Sequence, residues 1–189
     1  MPFPEHERVS RAALLLMVAA ALAAALSGCA RRDTVLGETD ESEPTLASAL
    51  SVSQPLLAKQ LIAGFHDVES NGWRWTERQF SVALAVPPAA RTKGARLKLG
   101  LFLSEQIINK YRTQTLAAKV AGYPLPAETY SATGEFVYSR QVDPKYFKGD
   151  NVLVQFSLDH YGKPGEFDGR ELGLVVTSVS LEAEEVRPR

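Results

Sequence analysis

Alternation of apolar and polar residues in several short runs is the feature of this sequence that most restricts its fold. The clearest run has four leucines at every second position: Leu97, Leu99, Leu101 and Leu103. The same period of two occurs over 80–86 and 152–158 and, in a shorter form, over 136–140. Because successive side chains of a β-strand point to opposite faces, each run predicts a strand with one buried face. The last run, 171–181, is apolar on both faces, which predicts a central strand.

Turn-forming residues separate these runs, as at Pro87-Pro88, Gly149-Asp150-Asn151 and Lys163-Pro164-Gly165. One short helix is predicted over Ser104–Tyr111, and no amphipathic helix is long enough for a βαβ crossover. With 45% hydrophobic and 23% charged residues, the chain has the composition of one ordinary domain with extensions. The sequence therefore predicts an all-β, antiparallel sandwich or barrel over residues 59–183, followed by a C-terminal tail, 184–189.

The first 28 residues have the pattern of a signal peptide. Arg8 and Arg11 precede a run of uncharged residues, Ala12–Leu26, that is shorter than the roughly 20 residues of a membrane-spanning helix. The following tetrad, Leu26-Ser27-Gly28-Cys29, resembles the lipobox of bacterial lipoprotein precursors. That resemblance implies cleavage before Cys29 and acyl chains, such as palmitate, on that residue. An ordinary secretory signal with a chance cysteine is the alternative.

The composition of residues 29–58 predicts a flexible acidic tether. Five acidic residues lie among Thr, Ser and Ala without a sustained apolar period: Asp33, Glu38, Asp40, Glu41 and Glu43. A flexible coil of about 25 residues has a root-mean-square span of roughly 25–30 Å. Lipoproteins retained in the inner membrane tend to have an aspartate after the cysteine, where this chain has Ala30. The resemblance therefore implies the periplasmic face of the outer membrane, if the host has two membranes.

Charge and cysteine content exclude several function classes. The formal net charge of −1 gives no broad basic surface, so we expect no nucleic-acid partner. Cys29 is the only cysteine, which leaves no intramolecular disulfide and no thiol for metal binding or nucleophilic catalysis. His66 and His160 lack the paired spacing of a zinc site. Because serine-nucleophile and phosphate-loop motifs are also missing, we expect no enzyme activity, no cofactor and no metal site.

Three local patterns suggest a family. They are Gly64-Phe65-His66-Asp67-Val68-Glu69, Gly72-Trp73-Arg74-Trp75-Thr76 and Asp168-Gly169-Arg170-Glu171-Leu172-Gly173. Together they resemble elements of a β-sandwich module found beside bacterial glycosyltransferases, which looks like a galactose-binding-type jelly roll. The similarity covers residues 60–181. It implies a jelly-roll fold and a sugar-related context, and it transfers no catalytic residues.

The two tryptophans of the second pattern are candidates for binding sugar. Trp73 and Trp75 are two positions apart, so in a strand they share one face, while Arg74 and Thr76 point the other way. An indole face packs well against a pyranose ring, but indoles also fill protein cores. We expect Trp75 in the core and Trp73 nearer the solvent.

Four charged residues near the first and last strands complete the candidate site: Glu69, Arg74, Asp168 and Arg170. Because these strands lie close together in a jelly roll, the four side chains would converge and bond the hydroxyls of a sugar or an acidic sugar. The alternative is an arginine–carboxylate lattice that pins the ends of the sandwich.

The sequence thus leaves two classes of function. The first is a membrane-anchored envelope lipoprotein whose sandwich binds carbohydrate. The alternative is a structural or assembly lipoprotein that uses the sandwich as a scaffold to contact a protein partner in the cell envelope.

Overall fold

The computed structural model describes residues 45–185. The predicted signal peptide, Cys29, most of the predicted tether and the last four residues lie outside this part. Within it, the strands are β1 (Ala49–Ser51), β2 (Leu61–Val68), β3 (Arg74–Ala85), β4 (Ala95–Leu103), β5 (Gln114–Val120), β6 (Tyr123–Tyr130), β7 (Gly134–Val142), β8 (Asn151–Leu158) and β9 (Val175–Ala183). Two short α-helices, α1 (Ala90–Lys93) and α2 (Glu105–Tyr111), and two 3-10 helices, Pro55–Gln60 and Pro144–Tyr146, connect them. Across residues 45–185, no helix is both long and apolar enough to span a bilayer.

The strands form the two sheets of a jelly roll. Sheet I has the order β2-β3-β8-β5-β6, and sheet II has the order β1-β9-β4-β7. All these pairings are antiparallel. If β2 is counted as an added edge strand, the other eight strands form two sheets of four that draw alternately on the beginning and the end of the chain, as in a jelly roll. The predicted fold class, an all-β antiparallel sandwich, is confirmed.

The core lies between the inner faces of the two sheets. In β4 the four alternating leucines are at most 2% exposed, and in β8 every second residue from Val152 to Leu158 is buried. The predicted central strand is β9, which pairs with β4 along one edge and with β1 and β3 along the other. The period of two therefore separates inner from outer side chains, as expected.

The sandwich begins earlier than the sequence analysis expected. Residues 45–58, assigned to the tether, include β1, which pairs with β9. Leu50 and Val52 are 4% and 1% exposed and belong to the core. The buried Gln60 amide fixes this segment by donating to the carbonyl oxygens of Ala47 and Ala83, at 3.0 and 2.7 Å. A strand of three residues has too few alternating positions to give a periodic signal.

Strand β3 belongs to both sheets. From Gln79 onward it pairs with β8 in sheet I, whereas Arg74 and Trp75 pair with β9 in sheet II. Thr76 stands at the crossing and is fully buried. Its carbonyl accepts a hydrogen bond from the Gly173 N–H at 2.6 Å, and its hydroxyl accepts one from the Leu174 N–H at 3.2 Å.

Two leucines in the segment before β2 test its place in the fold. Leu50→Ala should lower the free energy of unfolding by about 2–5 kcal/mol, because it leaves a cavity in the core. Leu56→Ala is the matched control: this side chain is 93% exposed, so the change should be within about 0.5 kcal/mol. Chemical denaturation of both variants gives the two values. Equal effects would place residues 45–58 outside the folded domain.

Candidate functional site

Trp73 and Trp75 lie outside the core. Both side chains are partly exposed, and their rings meet edge to face with centroids 6.1 Å apart. The expectation that Trp75 fills the core is wrong. The reason is the phase of β3: Thr76 occupies the inward position at the crossing, so its neighbour Trp75 faces outward together with Trp73.

A third aromatic residue belongs to the same surface. In sheet II, Val175 of β9 is directly opposite Trp75 on one side and Phe102 on the other. Directly opposed residues share a face, so these three side chains form one row across β3, β9 and β4. The Cα atoms of Trp75 and Phe102 are about 10 Å apart, which is two inter-strand spacings.

The residues of this row differ in their exposure to solvent. Val175 faces outward, yet it is only 5% exposed, while Phe102 keeps 38% of its area in solvent. We call Trp73, Trp75 and Phe102 the aromatic surface. It offers partly exposed aromatic rings to solvent, a chemistry that suits the apolar face of a ligand carrying polar groups at its rim.

Three of the four predicted charged residues lie close together. The Arg170 guanidinium lies 3.0 Å from a Glu69 carboxylate oxygen and 2.9 Å from an Asp168 oxygen, so these three residues converge as predicted. A hydrogen bond from Arg170 holds the pKa of the Asp168 carboxyl below its usual range, and the same bond raises the pKa of Arg170. This arrangement joins the loop before β9 to the turn after β2, which is the lattice that the sequence analysis gave as the alternative to a ligand site.

Arg74 is held by the backbone and does not join that cluster. Its Nε donates to the Val52 carbonyl at 2.7 Å and its Nη1 to the His66 carbonyl at 2.8 Å. These bonds tie the chain after β1 and strand β2 to the start of β3. The guanidinium therefore positions the strand that carries Trp73 and Trp75.

The loop between β8 and β9 is fixed at several points, which keeps Asp168 and Arg170 in place. The Tyr111 hydroxyl of α2 donates to the Tyr161 carbonyl at 2.9 Å, and Lys110 forms an ion pair with Glu166 at 2.7 Å. The hydrogen bond from Lys110 lowers the pKa of Glu166. Tyr111 also stacks on the ring of His160, with centroids 4.6 Å apart.

Phe102 is absent from the site predicted above, although its position in the sequence carries a signal. It stands between Leu101 and Leu103, on the polar phase of the β4 alternation, where Arg96 and Lys98 also lie. A large aromatic on the solvent phase of a strand is a candidate for binding. Its position beside Val175 and Trp75 depends on the sheet register, which one sequence does not reveal.

The described residues, 45–185, contain no group of three His, Cys, Asp or Glu side chains that could hold a metal ion.

Comparisons with known proteins give structural likeness only. No protein-family model and no curated protein matches the chain. A carbohydrate-binding module studied for specific mannan recognition covers 74% of this chain and 98% of its own, with 12% identity and a TM-score of 0.43. A family 35 carbohydrate-binding module from Clostridium thermocellum covers 71% and 98%, with 8% identity and a TM-score of 0.39. A CBM35 from Paenibacillus barcinonensis covers 74% and 92%, with 13% identity and a TM-score of 0.33. The jelly roll follows from the strand order of the two sheets.

Arg170→Gln tests the charged lattice through its pH dependence. The lowered pKa of Asp168 means that its ion pair stabilises the folded state above the usual carboxyl pKa, and that this contribution disappears as the pH falls through the lowered value. The variant should therefore melt below the wild type at pH 7, and the difference should shrink in acid. Thermal melts from pH 7 to pH 2 measure it. A difference that stays constant with pH would contradict an ionic role for this contact.

Proposed function

We propose that this protein is a lipid-anchored protein of the cell envelope whose jelly roll binds carbohydrate at the aromatic surface. The observation that carries the proposal is that Trp75 and Phe102 flank Val175 on the outer face of sheet II, and that Trp73, whose ring meets that of Trp75, is also outside the core.

The position of these side chains favours a ligand over a packing role. Burial of apolar area is the main source of folding free energy, so a chain gains more from an indole in the core than from one on a sheet face. Trp73 and Trp75 nevertheless lie on the outer face, next to an exposed Phe102. A sugar ring has an apolar face and a polar rim, and an aromatic side chain with open solvent around it accommodates both.

The surrounding charges favour an uncharged sugar. Arg170 already faces two carboxylates, those of Glu69 and Asp168, so the lattice has a net negative charge. Glu135, directly opposite Phe102 on β7, is exposed and adds a further negative charge. Arg74 bonds only neutral carbonyls and contributes one positive charge, so Glu69, Asp168 and Glu135 with Arg74 and Arg170 sum to −1, which disfavours an anionic glycan relative to a neutral one.

The described part of the chain begins far from the aromatic surface. The described chain enters beside the ends of β3 and β9, where the Ala47 carbonyl accepts from the Ala85 N–H and the Ser48 carbonyl from the Leu181 N–H. The aromatic surface adjoins Val175 at the start of β9, about 20 Å away at the usual rise of a strand.

Glycan binding should depend on Trp75. Titration calorimetry of the full-length protein, in a detergent without a sugar headgroup, uses neutral gluco-, manno- and galacto-oligosaccharides of six units at millimolar concentration. We expect at least one of these ligands to bind weakly, and Trp75→Ala to reduce its affinity by about tenfold or more. The reason is the loss of the ring face on which the sugar packs.

The matched control is Tyr123→Ala on β6 of sheet I. Tyr123 is also an exposed aromatic, at 46%, but it stacks on Tyr146, away from the aromatic surface. The Tyr123→Ala variant should bind the oligosaccharide with the same affinity as the wild type. The proposal fails if none of the oligosaccharides binds, if both variants lose affinity equally, or if Trp75→Ala abolishes the cooperative melt, which would make Trp75 a core residue.

Membrane anchoring should depend on Cys29. If lipid on this thiol is the anchor, each buried methylene of the acyl chains contributes about 0.8 kcal/mol to membrane binding. Cys29→Ser should therefore release the processed protein into the soluble fraction. Fractionation of cells that express the variant gives the answer. A processed variant that stays in the membrane pellet would mean that something other than the lipid holds the protein there.

A further inference from the structure

A glycine leaves a depression beside the aromatic surface. Gly100 is in the middle of β4, on the outer phase, two residues before Phe102. Its partners across the strands are Val137 of β7 and Ser178 of β9. A glycine inside a strand weakens it and often marks a bulge or a place where something approaches the backbone closely.

A β-bulge in β9 turns two hydroxyls toward this depression. Gly100 pairs with Ser178 and the next residue, Leu101, pairs with Val176, so Thr177 is the extra residue on the bulged strand. A Cβ at position 100 would lie 2.7 Å from the Ser178 hydroxyl oxygen and 2.8 Å from that of Thr177. Both residues are exposed and line the depression together with Gly100, so their hydroxyls are available to a ligand there.

Apolar side chains border the same depression. Val137 is 60% exposed and Phe102 is 38% exposed. Gly100 and Phe102 share one face of β4, and their Cα atoms are about 7 Å apart at the usual rise of a strand. The depression is therefore continuous with the aromatic surface, and it offers two hydroxyls and an apolar rim.

We infer that the depression over Gly100 is a second sugar subsite, so that the ligand is a stretch of a neutral polysaccharide chain and not a single sugar. This inference rests on the proposed function. The chain would extend from Trp75 across Val175 to Phe102 and Gly100, with one unit on the aromatic surface and another over the glycine. The hydroxyls of Thr177 and Ser178 exchange hydrogen bonds with the sugar hydroxyls, and Val137 borders the ring.

The charged residues on the outer face of β4 favour a neutral polysaccharide over an anionic one. Beyond Gly100, the next outer residue of β4 is Lys98, whose ammonium lies 2.6 Å from a Glu182 carboxylate oxygen. Arg96, one step further, pairs with Glu184 at 2.8 Å. Both cations already have carboxylate partners, so an anionic polymer would have to displace them.

Gly100→Ala fills the subsite and leaves the aromatic surface intact. The new methyl group meets two hydroxyl oxygens at the ends of rotatable side chains, and the residue is in an ordinary strand, so the variant should fold. Gly149→Ala is the matched control, because a Cβ there meets nothing within 4 Å. Thr177→Val, which removes one hydroxyl and keeps the β-branched shape, is a second variant that does not depend on the space at Gly100.

The readout is the dependence of affinity on chain length. Full-length protein is titrated with one-, two-, four- and six-unit members of the neutral series that binds best. The wild type and Gly149→Ala should bind the four-unit ligand about tenfold more tightly than the single sugar. Gly100→Ala should bind the single sugar as the wild type does but lose most of that gain, and Thr177→Val should lose part of it.

Different results overturn different claims. If no member of any series binds, or if binding does not depend on Trp75, the proposed function fails and the second subsite fails with it. If binding depends on Trp75 but affinity does not grow with length, or if Gly100→Ala keeps the full gain, the proposed function stands and only the second subsite is wrong.

Discussion

The passage of β3 from one sheet to the other is the constraint on which the rest of the structure depends. It requires close backbone contact between Thr76 and the segment before β9, and Gly173 permits that contact because a Cβ there would lie 2.6 Å from the Glu77 carbonyl oxygen. The hydrogen bonds of Thr76 to residues 173 and 174 hold the crossing in place. Because the crossing brings the first residues of β3 beside β9, Trp75 lies next to Val175 on the outer face of sheet II. Without it, the same sequence would have no aromatic surface.

Charged and aromatic residues at this end of the sandwich have different roles. Arg74 is bonded to two backbone carbonyls, and Arg170 is bonded to two carboxylates. These guanidinium groups hold the strands and loops in position, and their hydrogen-bonding capacity is largely used within the fold. The partly exposed rings of Trp73, Trp75 and Phe102 are left to face solvent. In our account the cations position the site, and the aromatic rings and neighbouring hydroxyls contact the ligand.

More of the fold than of the candidate site could be predicted from the sequence. Alternation in β3, β4 and β8 is a property of single strands, and it predicts the sandwich and its buried faces correctly. The convergence of Glu69, Asp168 and Arg170 follows from the closeness of the first and last strands in a jelly roll. Two features did not follow: β1 is too short to show a period, and the neighbours of Trp75 depend on register between strands far apart in the chain. The Thr177 bulge, which shifts that register by one residue, has no local sequence signal that we recognise.

The most direct test of the account uses the fluorescence of the two tryptophans. Trp73 and Trp75 are the only tryptophans in the chain, so indole emission reports on the aromatic surface alone. In the free protein, acrylamide should quench this emission readily, and saturating neutral oligosaccharide should protect it, while the unfolding transition stays cooperative. Emission that resists acrylamide in the free, folded protein would mean that the indoles are in the core. Accessible emission that no neutral oligosaccharide protects would contradict carbohydrate binding at this surface.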